Sequence, residues 1–255
     1  MQDDSALGRA VAMVRDLRVR CPWDRVQTRE TLRPYLVEEV LELDQALAEA
    51  DPAAIREELS DFLLHLAWQL VLGEEHGEFT ADDIAADLVA KMRRRHPQLF
   101  ELGPAERWEH LKRRERTRGT LEGLPPTLPD LLMAFRLQER AASVGFDWPD
   151  AGGPLAKVRE EIDEVAAELA SHPPDASPSD ALVDEIGDLL FAAVNLARKA
   201  GVQPGPALDR ANRKFRLRFS AVEARAAARG VDVHTAGLAT LDELWDEVKR
   251  EERAT

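Results

Sequence analysis

The stretch that decides the fold is residues 38–61, which read EEVLELDQALAEADPAAIREELSD. Within it, Asp51-Pro52 is typical of a helix start, with Asp51 as the N-cap and Pro52 in the first turn. Apolar residues recur at helical spacing before and after this dipeptide, which predicts one helix on each side of it. The connection is short, so we expect the two helices to pack antiparallel. The apolar positions are Leu36, Val40, Leu43 and Leu47 in the first helix and Ile55, Leu59, Phe62, Leu63, Leu66 and Leu70 in the second.

A further helix is predicted from Thr80 to about His96. Thr80 with Asp83 is typical of a capping box at its start, and Pro97 ends it. Patterns typical of strands are nearly absent, because no stretch of about six residues both alternates apolar with polar positions and is enriched in β-branched residues. The sequence therefore predicts an all-α fold.

The acidic motifs of the first stretch occur a second time. EExxE at residues 38–42 recurs at 160–164, and ExxD at 58–61 recurs at 185–188. Basic and tryptophan positions follow in the same order: Lys91 and Arg95 match Lys214 and Arg218, and Trp108 with Lys112 matches Trp245 with Lys249. A repeat of this kind indicates two copies of one helical unit.

A change of composition separates the two copies. Residues 117–129 read TRGTLEGLPPTLP, with two glycines, three prolines and no helical period, which is typical of a linker. We therefore predict an N-terminal helical domain over 1–116, a Gly/Pro linker over 117–130 and a C-terminal helical domain over 131–255. A second proline-rich stretch, SHPPDASPSD at residues 171–180, is predicted to be a loop between two helices.

Composition excludes several classes of protein. The chain has 255 residues, 44% hydrophobic and 32% charged, with a formal net charge of −14, which is typical of a globular protein rather than a disordered one. No apolar run approaches the ~20 residues of a membrane span, and no signal pattern opens the chain, so we expect no membrane association and a cytoplasmic location. The negative charge argues against binding a nucleic acid polymer. The single cysteine excludes an internal disulfide and a cysteine-based zinc site.

The two acidic motifs have the spacing of a cation site. On a helix, Glu38 and Glu42, or Glu39 and Glu42, can share a face, as can Glu58 and Asp61. Carboxylates brought together across an antiparallel pair raise each other's pKa, and a hard divalent cation relieves this repulsion. Oxygen-only ligands suit Mg²⁺ or Mn²⁺, with positions left open for water and phosphate. A di-iron bundle needs Glu-x-x-His pairs, and none of the six histidines follows a glutamate at that spacing.

A single EExxE is more often a solvated helix face than a site. Here two copies occur, each followed by ExxD and each interleaved with apolar residues such as Val40 and Ile162, which favours a site. Basic residues on the following helices could grip phosphate oxygens, although an ordinary basic helix face has the same pattern. Trp108 and Trp245 could stack on a base or pack in a core. The basic residues are Lys91, Arg94, Arg95, Lys214 and Arg218.

These motifs together resemble the MazG family of nucleoside triphosphate pyrophosphohydrolases in its two-domain form. The resemblance covers nearly the whole chain and includes LRVRCPWDRVQT, KMRRRHPQLF, LEGLPPTLPDLL, VGFDWPD, NRKFRLRF and LDELWDEVK. It implies an all-α fold in which each unit forms part of a four-helix bundle completed by dimerisation, and hence a homodimer. It also implies Mg²⁺-dependent hydrolysis of NTPs and dNTPs between the α- and β-phosphates, with Mn²⁺ as a possible substitute.

The resemblance implies roles for individual residues. The family's metal ligands fall on Glu39, Glu42, Glu58 and Asp61 in the first unit, and on Glu161, Glu164, Glu185 and Asp188 in the second. The leading glutamates, Glu38 and Glu160, are left to orient or deprotonate the attacking water, a hypothesis that rests on their adjacency to the ligands. Triphosphate and nucleoside would be held by Lys214, Arg218, Trp245 and Lys249, with Lys91, Arg95, Trp108 and Lys112 as their first-unit counterparts.

The two units are not equivalent in sequence. Aligning Lys91 with Lys214 places Asn212 opposite Val89, so a polar group of the second unit is absent from the first. This favours the second unit as the catalyst, while the first keeps its four predicted ligands and remains a candidate. Two other functions stay open: a narrow-specificity, dUTPase-like housecleaning enzyme, and a non-catalytic helical module for nucleotide binding or regulation. We expect base selectivity to depend on a pocket shaped by Trp23, Trp148 and dimer contacts.

Overall fold

The computed structural model describes residues 5–100, 103, 119–173 and 176–254. Over these ranges the chain forms ten α-helices, one short 3₁₀ helix at Pro97–Leu99 and no strand, so the all-α prediction is confirmed. No helix within the described ranges is both long and apolar enough to cross a membrane. The helices are α1 (Ala6–Arg20), α2 (Pro22–Arg25), α3 (Arg29–Glu49), α4 (Pro52–Glu75), α5 (Ala81–Arg95), α6 (Asp130–Ala142), α7 (Gly152–Ser171), α8 (Asp180–Lys199), α9 (Pro204–Ala228) and α10 (Gly237–Ala254).

The chain divides into two compact units, Met1–Trp108 and Glu109–Thr255. Helices α1 to α5 belong to the first unit and α6 to α10 to the second. Each unit is built on a helical hairpin, α3/α4 in the first and α7/α8 in the second, with α1 packed against α4 and α6 packed against α8. Residues 119–129, the described part of the predicted linker, contain turns and no helix. The limits of the linker at 117 and 130 stay a prediction.

A tight connection makes α3 and α4 antiparallel. Helix α4 begins as the sequence indicates, with Pro52 in its first turn and the Asp51 side chain accepting a hydrogen bond of 2.9 Å from the Ala53 backbone N–H. Ala50 precedes this cap with a left-handed backbone, φ 55°. This conformation reverses the chain directly after a helix. A connection of two residues, Ala50 and Asp51, is therefore enough to join α3 to α4. The reversal brings the acidic motifs of the two helices into the same region.

Helix α5 begins and ends where the sequence predicts. The Thr80 hydroxyl accepts a hydrogen bond from the Asp83 backbone N–H, and the Asp83 carboxylate accepts one from the Thr80 backbone N–H at 2.8 Å. This capping box satisfies donors that a helix start would otherwise leave unpaired. The helix ends at Arg95, two residues before Pro97.

The core of the first unit lies between α1, α3 and α4. Val14, Leu32, Trp68 and Leu72 are almost fully buried there. Two ion pairs, Arg15 with Glu74 and Arg18 with Glu75, add contacts between α1 and the end of α4. Because these pairs are partly exposed, apolar burial contributes most of the stability of this packing.

The core of the second unit includes the contact between α9 and α10. Val222 and Ala226 of α9 pack there against Leu244 and Val248 of α10. Helix α9 also packs against α6 and α8, which joins this pair to the α7/α8 hairpin.

The hairpins leave apolar residues exposed where the sequence suggested core stripes. Val40, Leu59 and Leu66 of the first hairpin are exposed, as are Ile162, Ile186 and Leu190 of the second. A two-helix hairpin can bury one face against the helix packed on it, and its other face needs a further layer. The periodicity indicates an apolar stripe on each hairpin, but it does not tell what packs on that stripe.

The burial of α1 gives a stability prediction. Val14 is 2% exposed and Val19, on the same helix, is 74% exposed. We expect Val14→Ala to lower the free energy of unfolding by about 1–3 kcal/mol, because two buried methyl groups are removed and a cavity is left. Val19→Ala is the matched control and should change it by less than about 0.5 kcal/mol. Urea unfolding followed by circular dichroism measures both, and equal effects would contradict the placement of α1.

Candidate active site

In the first unit, three carboxylates meet across the α3/α4 hairpin. Glu39 of α3 and Glu58 and Asp61 of α4 each offer an oxygen, and these oxygens lie within 4.8 Å of one another. Partial burial raises the pKa of Glu39, and the charges of Asp61 and Glu42 raise it further. Partial burial and the charge of Glu42 likewise raise the pKa of Glu58. The carboxylates therefore repel one another and would be relieved by a bound cation.

The second unit has an equivalent group in the α7/α8 hairpin. Oxygens of Glu161 and Glu164 of α7 and Glu185 of α8 lie within 4.8 Å of one another. The pKa of Glu164 is raised, chiefly by a hydrogen bond with Glu161 and further by desolvation and the charge of Glu161. A divalent cation bound between these carboxylates would relieve their crowding.

Glu161 has a buried carboxylate oxygen that a metal ion could satisfy. It is only 3% exposed, and its Oε2 atom has no hydrogen-bond partner among the residues that the structure describes. A buried carboxylate oxygen without a partner is costly, and proteins satisfy such atoms with a hydrogen bond or a metal ion. The oxygen-only donor set of both groups fits Mg²⁺ or Mn²⁺ better than a metal that prefers nitrogen or sulfur ligands.

The structure leaves two predicted ligands outside these groups. Glu42 is close enough to raise the pKa of Glu39 and Glu58 but does not belong to the group of three. Asp188 is exposed on α8, one turn after Glu185, and is likewise outside its group. The leading glutamates, Glu38 and Glu160, are exposed next to the grouped carboxylates. Their predicted role towards water remains a prediction.

Lys157 is a site residue that the sequence reasoning missed. Its Nζ atom forms ion pairs with Glu160 at 2.8 Å and with Glu161 at 2.6 Å, and these contacts raise its pKa. The signal was visible, because a lysine three and four residues before two glutamates lies on their helix face. Tyr35 holds the corresponding position in the first unit. A lysine one turn before the acidic motif is therefore a feature of the second hairpin that the first does not share.

The predicted phosphate ligands of the first unit are only partly described. Lys91 and Arg94 are exposed on α5, and Arg95 at its end is half-buried. Trp108 and Lys112 lie outside the described residues.

In the second unit, the predicted substrate ligands lie on α9 and α10. Asn212 and Lys214 are exposed on α9. Arg218 forms an ion pair with Glu252 and lies 5.8 Å from the Trp245 ring, while Lys249 pairs with Asp246. Trp245 also packs beside the α9/α10 core and contacts Phe215, so its role is at least partly structural. Among the described ion pairs, Lys157 is the cation that contacts the acidic group, and Lys214, Arg218 and Lys249 do not.

The fold and the two carboxylate groups define a class: a repeated helical protein with oxygen-only sites for divalent cations. A family model, the MazG nucleotide pyrophosphohydrolase domain, matches residues 27–100 and again residues 154–222, which contain the two hairpins with their acidic groups.

Known proteins support the same assignment over the full length. The chain is 41% identical over 250 residues to the nucleoside triphosphate pyrophosphohydrolase of Escherichia coli K12, covering 94% of each chain. It is 38% identical to the nucleoside triphosphate pyrophosphohydrolase/pyrophosphatase MazG of Thermotoga maritima, covering 90% of this chain and 89% of that protein. An uncharacterized protein of Bacillus subtilis, YabN, is 39% identical over 95% of this chain and 51% of its own length. The chain belongs to the MazG family.

The raised pKa values give a pH-dependent prediction. Because the folded state raises the pKa of Glu39, its charged form destabilises the metal-free protein at pH values above that pKa, and this cost disappears as the pH falls. With EDTA at about pH 8, we therefore expect Glu39→Gln to melt at a higher temperature than the wild type, and the difference to shrink towards about pH 4. Asp44→Asn, an exposed change on the same helix, should show no such trend.

Added Mg²⁺ should favour the wild type over Glu39→Gln, the reverse of the difference in melting temperature that we expect in EDTA. The wild type should gain stability, and Glu39→Gln should gain less because one ligand is gone. Thermal unfolding in EDTA and in Mg²⁺ measures both effects. If Glu39→Gln in EDTA melts at a lower temperature than the wild type at about pH 8, then repulsion among these carboxylates does not destabilise the metal-free protein.

Proposed function

We propose that this chain is a Mg²⁺-dependent nucleoside triphosphate pyrophosphohydrolase that converts NTPs and dNTPs to the monophosphate and pyrophosphate. The observation that carries the proposal is the group formed by Glu161, Glu164 and Glu185, with its buried unpartnered oxygen, in a chain of the MazG family. Mn²⁺ would substitute, since the same oxygen ligands accept it.

The residues of the second unit suggest how the reaction proceeds. Glu161, Glu164 and Glu185 would hold the cation, with Asp188 one turn away on α8 to complete the ligand set. When bound, the cation supplies charge neutralisation at the phosphate oxygens and a more acidic water. Glu160, exposed beside this group, would orient a water molecule towards the α-phosphorus and accept its proton. The new bond joins the water oxygen to that phosphorus, and the bond to the bridging oxygen breaks, which releases pyrophosphate.

The basic residues would bind the negatively charged phosphates of the substrate and would take no direct part in making or breaking bonds. Lys157, already paired with Glu160 and Glu161, lies where it could donate to a phosphate oxygen once a substrate arrives. Lys214 is exposed on α9 and Arg218 is one turn further along, both available to a triphosphate after local side-chain movement. The first unit has Tyr35 and Val89 in place of Lys157 and Asn212. We therefore propose that the second unit is the better catalyst.

We also propose that the protein is a homodimer. The support is the row of exposed apolar residues beside each acidic group, including Leu59 of α4 and Ile186 and Leu190 of α8. A second copy that packs on these faces would complete a four-helix bundle from two hairpins. A nucleotide-hydrolysing enzyme of this kind would act on the nucleotide pool of the cytoplasm, and we place it there.

The activity is tested by pyrophosphate release from a panel of NTPs and dNTPs with Mg²⁺. We expect turnover by the wild type and a loss in kcat/KM of at least about 100-fold in Glu161→Gln, because several kcal/mol of transition-state charge stabilisation depend on the cation. Glu39→Gln should lose less. Asp163→Asn, an exposed neighbour on α7, is the matched control and should keep its activity. If no nucleotide yields pyrophosphate, the proposed enzymatic activity is wrong. If Glu39→Gln loses as much activity as Glu161→Gln, the preference for the second unit is wrong.

The assembly is tested by sedimentation velocity. The wild type should sediment as a dimer. The Leu190→Lys variant should contain more monomer, since a charge placed in an apolar interface is unfavourable. Leu238→Lys, at an exposed position on α10, is the control and should leave the mass unchanged. Circular dichroism establishes that both variants are folded. A wild-type protein that is monomeric at all concentrations would exclude the dimer.

A further inference from the structure

Lys157 contacts two carboxylates to which the proposed mechanism gives different tasks. Its Nζ atom lies 2.6 Å from Oε1 of Glu161, a proposed cation ligand, and 2.8 Å from Oε1 of Glu160, the proposed acceptor of the water proton. Such short distances are typical of hydrogen bonds between charged groups. One ammonium group therefore occupies an oxygen of the ligand and an oxygen of the base at the same time.

This contact reaches from the surface into the buried part of the site. The Glu161 side chain is 4% exposed, whereas the side chains of Lys157 and Glu160 are 42% and 58% exposed. The buried carboxylate attracts a positive charge strongly, because little water screens it. The half-exposed lysine can turn towards another anion without disturbing the core. Lys157 is thus a counter-ion for Glu161 that the helix itself supplies and that can leave.

Helix stability explains the position of Lys157 poorly. The lysine precedes Glu160 and Glu161 by three and four residues. For an ion pair within a helix, a glutamate that precedes a lysine is the more favourable order, because that order complements the helix dipole. Here the order is reversed. The buried carboxylate that Lys157 neutralises therefore accounts for this lysine better than the stability of α7 does.

Lys157 competes with a divalent cation for Glu161. Two positive charges at one carboxylate repel each other, so a cation that binds there must displace the ammonium group or bind less tightly beside it. A triphosphate changes this balance, because it offers Lys157 a different anionic partner. The same movement releases Glu160, whose oxygen is then free to accept a proton from water.

The first unit has the same spacing without a lysine at this position. Tyr35 precedes Glu38 and Glu39 by three and four residues, and its ring centroid lies 6.4 Å from that of Trp23. A phenol carries no positive charge, so it cannot act as a counter-ion for these carboxylates. The repeat therefore supplies an internal comparison between two hairpins that differ at this position.

We propose that Lys157 is a displaceable counter-ion that makes cation binding in the second unit depend on the triphosphate. Without a nucleotide, Lys157 occupies Glu160 and Glu161 and lowers the affinity for a free divalent cation. When a triphosphate binds, Lys157 moves to a phosphate oxygen, and the ligand and the base become available together. This inference rests on the proposed function and adds to it the order in which the site is completed.

Binding of Mn²⁺ without nucleotide tests the competition, with the electron paramagnetic resonance signal of the free ion as the readout. Every protein in this series carries Glu39→Gln, so that binding reports chiefly on the second unit. We expect Lys157→Met to bind Mn²⁺ about 10-fold more tightly than its parent, because the competing charge is removed. Lys157→Arg keeps the charge and should bind as the parent does. Arg159→Met removes the same charge from an exposed position two residues away, and as the matched control it should have no effect.

The first unit allows the reverse experiment. In a Glu161→Gln background, Tyr35→Lys places an ammonium group three and four residues before Glu38 and Glu39. Mn²⁺ binding should weaken by about 3-fold to 10-fold, since these carboxylates are less buried than Glu161. Tyr35→Phe removes only the hydroxyl group and should leave the affinity unchanged. Circular dichroism establishes that both variants are folded.

The dependence on the triphosphate is measured with α,β-methylene-dATP, which cannot be cleaved between its α- and β-phosphates. Titration calorimetry in EDTA and in Mn²⁺ gives the factor by which the cation strengthens nucleotide binding. By linkage, the nucleotide strengthens cation binding by the same factor. This factor should be about 10-fold smaller in Lys157→Met than in the wild type, and Arg159→Met should keep the wild-type factor.

The proposal is overturned if Lys157→Met binds free Mn²⁺ no more tightly than its parent, or if it keeps the wild-type factor. Failure of the proposed function has a separate readout, which is pyrophosphate release by the wild type with Mg²⁺. Tighter Mn²⁺ binding by Lys157→Met without pyrophosphate release from any nucleotide would refute the enzyme and retain the counter-ion. Pyrophosphate release with equal Mn²⁺ affinities would retain the enzyme and refute the counter-ion.

Discussion

Repulsion between carboxylates on facing helices is the constraint on which the rest of each unit depends. The two-residue connection through Ala50 makes α3 and α4 antiparallel, and the i, i+3 spacing of Glu58 and Asp61 turns both towards Glu39. Packing the hairpin therefore forces like charges together. Partial burial raises the pKa of Glu39, and the neighbouring charges raise it further, so a bound cation would relieve the repulsion.

The two units meet this constraint with different chemistry. In the first, the carboxylates are only half-buried, so water screens their repulsion. In the second, Glu161 is buried, and its ion pair with Lys157 offsets part of the repulsion. Because Glu161 is buried while Glu164 is exposed, the charge of Glu161 depends most strongly on the groups beside it, since charge interactions strengthen as water is excluded. The same backbone repeat thus holds a half-buried group of carboxylates in the first unit and a group with one buried member in the second, in a chain whose family is that of nucleotide pyrophosphohydrolases.

Local patterns predicted the helices and much of the acidic groups. The caps at Asp51 and Thr80 depend on residues within one turn, so the sequence alone indicated them. What it could not indicate depends on tertiary packing. Gln138 is an ordinary residue on α6 until its burial against Phe191 leaves one oxygen unpaired. Spacing along one helix also does not determine that Asp188 lies outside its group, because the group forms between two helices.

The exposed apolar faces connect assembly to the chemistry of the site. Leu59 directly follows Glu58, and Ile186 directly follows Glu185, so a layer that covers these apolar residues also covers the edge of each acidic group. Covering that edge removes water, which raises the cost of leaving the carboxylates without a counter-ion and strengthens their attraction to a cation. Cation binding and packing of a second hairpin would then stabilise each other, because each removes a cost that the other would otherwise face. The exposed apolar face and the crowded carboxylates are in this sense a single feature of the hairpin.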